Sequence, residues 1–140
     1  MAKHVLRSAT ITVNGTDLSD HCSSVTLEDS AEEVDFTAFG PNLYREHSPG
    51  MKDATITAEF FNDFAASSVD SVLSAAYASS TAFPVVVKAD SAAVSATNPS
   101  FTMSSRLYTY SPLSGGVGDA NTTSATFRLA GTAGLVRGTA

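Results

Sequence analysis

Apolar and polar residues alternate with a period of two along much of the chain, and the two most regular stretches flank a long tip. Glu33-Val34-Asp35-Phe36-Thr37-Ala38 alternates acidic or hydroxyl side chains with apolar ones, and Asp53-Ala54-Thr55-Ile56-Thr57-Ala58-Glu59-Phe60 does the same. Successive side chains of a strand point to opposite faces of a sheet. Glu33, Asp35 and Thr37 therefore share one face of the first strand, and Asp53, Thr55, Thr57 and Glu59 share one face of the second. Val34, Phe36, Ile56 and Phe60 are expected in a core. The tip, residues 40–50, is longer than the two to five residues usual for a hairpin loop. A loop of that length needs something to order it, and a neighbouring copy of the same protein is the expected support.

The remaining elements follow from the same reading. Thr10-Ile11-Thr12-Val13 is a strand, and Asn14-Gly15 after it is a strong hairpin signal, since both residues tolerate positive φ. Residues 16–20 read as a short strand end and a polar turn. Ser24-Val25-Thr26-Leu27-Glu28 is a strand, which Asp29-Ser30 is expected to break. After Phe61 the period changes. Phe64, Ala65, Val69, Val72, Leu73, Ala76 and Tyr77 recur at three- and four-residue spacing, which predicts one amphipathic helix over 68–78. Ser67 and Asp70 are spaced as a weak capping box.

Phe83-Pro84-Val85-Val86-Val87-Lys88 is a buried strand with proline at its start, where no ladder donor is lost. Residues 100–110 form one long strand with room for a bulge. A turn-rich connection over 111–119 precedes a strand at 124–129, and the tail 131–140 is expected to add a short edge strand. Short strands separated by turns, with one inserted helix, predict a mainly β chain. The expected form is a sandwich or barrel with one inserted helix.

Composition narrows the class. The chain has 140 residues, a net charge of −6, 43% hydrophobic and 16% charged residues. That is one domain, large enough to bury a core without staples. An acidic chain is a poor candidate for gripping nucleic acid, because that affinity comes from phosphate neutralisation by Lys and Arg. Cys22 is the only cysteine, so no intrachain disulfide forms. No apolar run reaches the roughly 20 residues of a spanning helix, and no apolar signal region opens the chain. Synthesis in a cytoplasm, with no membrane partner, is expected.

Catalytic and metal chemistry find no constellation. There is no Gly-x-Ser-x-Gly elbow, and His4, His21 and His47 lie in termini or loops without spaced partners. No Cys-x-x-Cys or His-x-x-x-His spacing is present. Asp17 and Asp20 lack the other ligands of a calcium loop. Gly115-Gly116-Val117-Gly118 has no Lys-Ser/Thr after it, so it reads as a turn rather than a phosphate loop. No enzyme activity and no cofactor are expected. The acidic strand faces remain the feature to explain, against the ordinary reading of a solvated sheet face.

The order of motifs supplies a candidate. Glu33-Val34-Asp35-Phe36-Thr37-Ala38-Phe39-Gly40, then Tyr44-Arg45-Glu46, then Pro49-Gly50-Met51-Lys52-Asp53-Ala54-Thr55-Ile56 resembles the signature of tail tube proteins, the major tail proteins of long-tailed bacteriophages. Val13-Asn14-Gly15-Thr16-Asp17-Leu18-Ser19-Asp20 resembles their opening hairpin, residues 112–119 the turn before their last long strand, and Gly134-Leu135-Val136-Arg137 their ending. The resemblance covers nearly the whole chain.

It implies a fold of two packed antiparallel sheets with one flanking α-helix, in a single tail tube domain over 1–140, with an N-terminal arm at 1–7 and a C-terminal tail at 131–140. It implies rings of subunits, usually six, stacked into a hollow tube in the virion through which viral DNA passes without specific binding. Its partners would be further copies of itself and the tape measure, tail initiator or tip, and tail terminator proteins. Glu33, Asp35, Thr37, Asp53, Thr55, Thr57 and Glu59 become candidates for the lumen, where like charge repels phosphates. Asn42, Leu43, Tyr44, Arg45, Glu46 and His47 become candidates for contacts between subunits or rings. The alternatives are a tail terminator or capsid decoration protein, a tube protein of a contractile or secretion apparatus, and a ligand-binding barrel.

Overall fold

A computed structural model of the chain describes residues 3, 5–41 and 43–139. The order of elements is β1 (Thr10–Val13), β2 (Thr16–Asp17), a 3-10 turn (Ser19–His21), β3 (Cys22–Asp35), β4 (His47–Phe61), α1 (Val69–Ala78), β5 (Phe83–Lys88), β6 (Ser100–Ser111), β7 (Thr122–Leu129) and β8 (Val136–Gly138). The strands hydrogen-bond in the order β2-β1-β5-β6-β7-β4-β3, with β8 also on β6. Every pairing is antiparallel.

The mainly β fold with one helix is as expected, but the two packed sheets are one continuous sheet of eight strands. Strand β6 is the reason. Its first half, to Ser105, pairs with β5, and from Ser105 onward it pairs with β7 across a register shift between Leu107 and Thr109. One bulged strand thus serves both halves, since a bulge increases local bend and twist. The curl brings the two ends together: Leu6 and Ala9 before β1, Val25 and Leu27 of β3, and Val87 and Phe101 line one apolar cleft.

The inner face follows the alternation. Ile11, Val13, Ile56, Phe60, Val85, Met103 and Phe127 are buried. Phe83 and Phe127 meet edge to face at 6.0 Å, a geometry that aromatic quadrupoles favour. Each fully buried large apolar side chain is worth about 1.5–3 kcal/mol. Asn14 and Gly15 turn the first hairpin at φ 49° and 84°, which is what a tight two-residue hairpin requires.

The helix packs Val69, Leu73 and Ala76 into the core, three- and four-residue steps on one stripe. Phe64 and Tyr77, read as part of that stripe, are exposed. The capping box does not form: Ser67 sits at φ 59°, Ser68 is the N-cap residue without a side-chain cap bond, and the Asp70 carboxylate accepts the Tyr110 hydroxyl at 2.6 Å. Asp63 organises this helix start instead. Its carboxylate accepts the Ala65 N–H and the Ser68 hydroxyl, each at 2.9 Å, and its carbonyl accepts the Asp70 N–H at 3.1 Å. His21 Nε2 reaches the same carboxylate at 3.2 Å, tying the helix start to the turn before β3.

Candidate functional site

Strands β3 and β4 form a hairpin that runs past the rest of the sheet. The ladder extends from Cys22 opposite Phe60 to Asp35 opposite His47. Strand β7 flanks β4 only from Thr55 to Phe61. Beyond that point the hairpin is a two-stranded ribbon, a form that is marginal on its own in water.

Two sequence expectations change here. Asp29-Ser30 does not break the strand, because both residues pair with β4, opposite Ala54 and Asp53. Both side chains are exposed, so a polar pair costs no burial there. Phe36 is not in a core; it is 63% exposed. Val34, expected in the same core, is only half-buried and outside it, because on β3 it lies on the side of Thr26 and Glu28, opposite Val25 and Leu27.

Strand β4 begins at His47, so the tip is residues 36–46. Between Ala31 and Glu33 the register shifts, with one more residue on β4 than on β3. Beside the shift Gly50 approaches Val34 so closely that a Cβ would sit 2.9 Å from its methyl group. Pro49 is tolerated because β4 has a single partner here. Followed through the shift, Glu33 and Asp35 continue the Val25 and Leu27 side of β3, whereas Asp53, Thr55, Thr57 and Glu59 lie on the opposite, outward face.

The structure joins residues that the sequence reading assigned to separate roles. His47 Nδ1 lies 2.7 Å from Glu33 Oε1, and Arg45 donates to Asp35 Oδ2 at 3.1 Å. Thr37 Oγ1 accepts the Glu46 N–H at 2.8 Å, and Asp35 Oδ1 accepts the Thr37 N–H at 2.8 Å. Thr37, with hydroxyl and N–H, and then Arg45 and His47 hold the Asp35 carboxyl below its ordinary value. These bonds shape the ribbon end, but exposed ion pairs stabilise by only about 0–1 kcal/mol each.

Leu43 and Tyr44 project outward, 95% and 86% exposed. Asn42 lies outside the described residues. Sequence reading missed Phe39 and Met51, both highly exposed on this ribbon. Phe39 stands directly before Gly40-Pro41, where no strand continues to bury it, and that was the available signal. Charge is segregated as well: seven of the 14 acidic and two of the eight basic residues fall within 28–53.

The outward face of the four adjacent strands β3, β4, β7 and β6 is polar and ordered in rows. One row is Thr26, Thr57, Thr126 and Thr109; the next is Glu28, Thr55, Arg128 and Arg106. Arg128 leans toward Asp53 at 3.6 Å. Among the described residues no group of three or more His, Cys, Asp or Glu could hold a metal ion, and no helix is long and apolar enough to cross a membrane. Cys22 is half-buried, and burial pushes its thiol up from the ordinary value.

No protein-family model matches the chain, and no curated protein matches it. Solved structures do. A chain of the virion of a native gene transfer agent particle is 13% identical over 92% of this chain and 95% of that one, with a TM-score of 0.72. A chain of the tail of an empty gene transfer agent particle, with C6 symmetry, is 14% identical over 95% of both chains, with a TM-score of 0.71. A chain of the anti-feeding prophage baseplate is 12% identical over 99% of this chain and 98% of that one, with a TM-score of 0.63. These likenesses establish the fold, one shared with chains of virion, tail and baseplate particles.

Proposed function

We propose that this chain is a structural subunit of a phage-type tail tube. Its copies assemble into stacked rings of six that enclose a channel for DNA during ejection, in a virion assembled in a bacterial host. The observation that carries this reading is the ribbon. It places Phe36, Phe39, Leu43, Tyr44 and Met51 in solvent, on a protrusion the body does not need for its own core. Apolar groups gathered on such an extension fit burial against another copy. The fold shared with a six-fold symmetric tail supports the ring number.

On this reading the face of Asp53, Thr55, Thr57 and Glu59 lines the channel, and Glu33, Asp35 and Thr37 guard its mouth from the ribbon end. Leu43, Tyr44, Arg45, Glu46 and His47 meet the next ring. Like-charged walls keep phosphates from adhering, and the chain acts as a conduit rather than an enzyme. Tape measure, tail initiator and terminator proteins are its partners. The likeness to a baseplate chain favours one second reading, a tube protein of a contractile or secretion apparatus, which co-isolation with a surrounding sheath would distinguish.

Negative-stain electron microscopy of the concentrated protein, with and without seed tubes or a tail initiator, tests the proposal. Hollow, evenly striated tubes of one width are expected. Particles that stay small and single even on seeds would overturn it.

A further inference from the structure

We propose that Arg106 and Arg128, directly opposite one another on the outward face of the sheet, form a binding site for a phosphate oxyanion. The site itself stands on the single chain. What it meets in a channel, the phosphodiesters of passing DNA, rests on the tube reading.

Strands β6 and β7 set Arg106 against Arg128. Directly opposite side chains of a sheet stand about 4.5–5.5 Å apart at Cβ, and like charges so placed are unfavourable. The chain has eight basic and 14 acidic residues, yet this pair is left almost without carboxylates. Arg128 has Asp53 at 3.6 Å, beyond hydrogen-bonding distance. Arg106 has no ion-pair partner among the described residues. Both arginines are exposed. Helix α1 meets β6 on the core side, where Asp70 accepts the Tyr110 hydroxyl, and leaves Arg106 uncovered.

An anion between the two guanidinium groups removes the repulsion. Each guanidinium is a planar fork of donors that matches the oxygens of a phosphate or a carboxylate. A carboxylate fills one fork with its two oxygens. A tetrahedral phosphate presents oxygens on more than one side, so two opposed forks can grip it together. Thr109 and Thr126, opposite each other in the next row, bring hydroxyl donors to the same face. On the channel reading the wall is therefore not uniformly repelling. The acidic side chains of β3 and β4, Glu28, Asp53 and Glu59, keep the contact weak, so phosphates are guided along the arginines rather than held.

Inorganic phosphate, titrated at constant ionic strength into the monomeric chain and followed by NMR, tests the site. The Nε–H signals of Arg106 and Arg128 are expected to shift together and saturate. Arg106→Gln and Arg128→Gln should each weaken binding at least about fivefold, and Asp53→Asn should tighten it by about fivefold, the effect of one charge some 4 Å away in water. Thermal melts report folding: in chloride Arg106→Gln should melt no lower than the parent, since a like-charge pair is relieved, and in phosphate it should lose the parent's gain. A short DNA duplex in place of phosphate should move the same two signals, and a response to inorganic phosphate alone would support the site and overturn its contact with DNA. Signals that neither probe moves, or that a glutamate-rich peptide moves where phosphate does not, overturn the site while the tube reading stands. Phosphate binding by a chain that never assembles on seeds supports the site and removes its place in a channel.

Discussion

One strand runs through two environments. From Thr55 to Phe60, β4 lies between β3 and β7, and its inward residues Ile56, Ala58 and Phe60 are all buried. From His47 to Asp53 it has β3 alone, and Met51 is 81% exposed. The alternation and the covalent strand are the same; only the number of covering neighbours changes. Cohesion therefore resides in the body, where apolar area is removed from water within one chain. The ribbon holds apolar area in reserve, and the stabilisation from covering it appears only when another molecule does so.

The sharpest way to break this comparison is to remove the same side chain from each region. Phe60→Ala empties a fully buried site and should lower stability by about 3–5 kcal/mol, the usual range for a core phenylalanine. Phe39→Ala, on the ribbon, should change monomer stability by no more than about 0.5 kcal/mol. Urea unfolding of both variants, with slopes checked against the parent, makes the measurement. Similar losses at the two sites would mean that the ribbon is packed in solution and the contrast is wrong.

Acid sharpens the comparison further. The Ala65 N–H, then the Ser68 hydroxyl and His21, hold the Asp63 carboxyl below its ordinary value, so the unfolded chain takes up the proton first. The stability this supplies is present above the ordinary carboxylate range and is lost as pH falls through the lower folded value. Asp63 ties the helix start to the body, so the loss should appear in global unfolding. Asp35 is shifted in the same direction by Thr37 and Arg45, but on the ribbon, so its protonation should loosen only the tip. Thermal melts against pH, repeated on Asp63→Asn, should show a shallower acid decline in the variant. Melts of Asp35→Asn should follow the parent, with hydrogen exchange faster at residues 36–46. An unchanged acid limb in Asp63→Asn would refute the assignment.

What the sequence disclosed divides along the same line. Period two located the sides correctly wherever the body continues: Ile56 and Phe60 inward, Thr57 and Glu59 outward. The three- and four-residue spacing found the helix to within a residue. Coverage was not legible, because which strand ends where is a property of distant pairings. Thus alternation alone puts Val34 and Phe36 in a core that does not include them, and Asp29-Ser30 reads as a break although it lies mid-strand. The capping pair failed for a related reason: Asp70 is drawn to Tyr110, 40 positions away. The long tip marks the ribbon, but alternation does not single out Phe39 and Met51, nor the row that ends in Arg106. A single strand shows which residues share a face; only the register across four strands aligns Glu28 with Arg106.

The smallest expected effect on the monomer is the most informative about assembly. Phe39→Ser, Leu43→Ser and Tyr44→Ser together remove three exposed side chains and leave the ribbon ion pairs, Arg45 with Asp35 and His47 with Glu33, in place. Exposed sites away from caps and networks change stability within about 0.5 kcal/mol each, so melts and hydrogen exchange of the body should match the parent. Tube formation should fail, because aromatic and leucine anchors are what a partner would bury, and a few such residues carry most of an interface. If the triple variant forms tubes of normal length at the parent's concentration, the ribbon tip is not the contact, and its exposed apolar groups need another explanation.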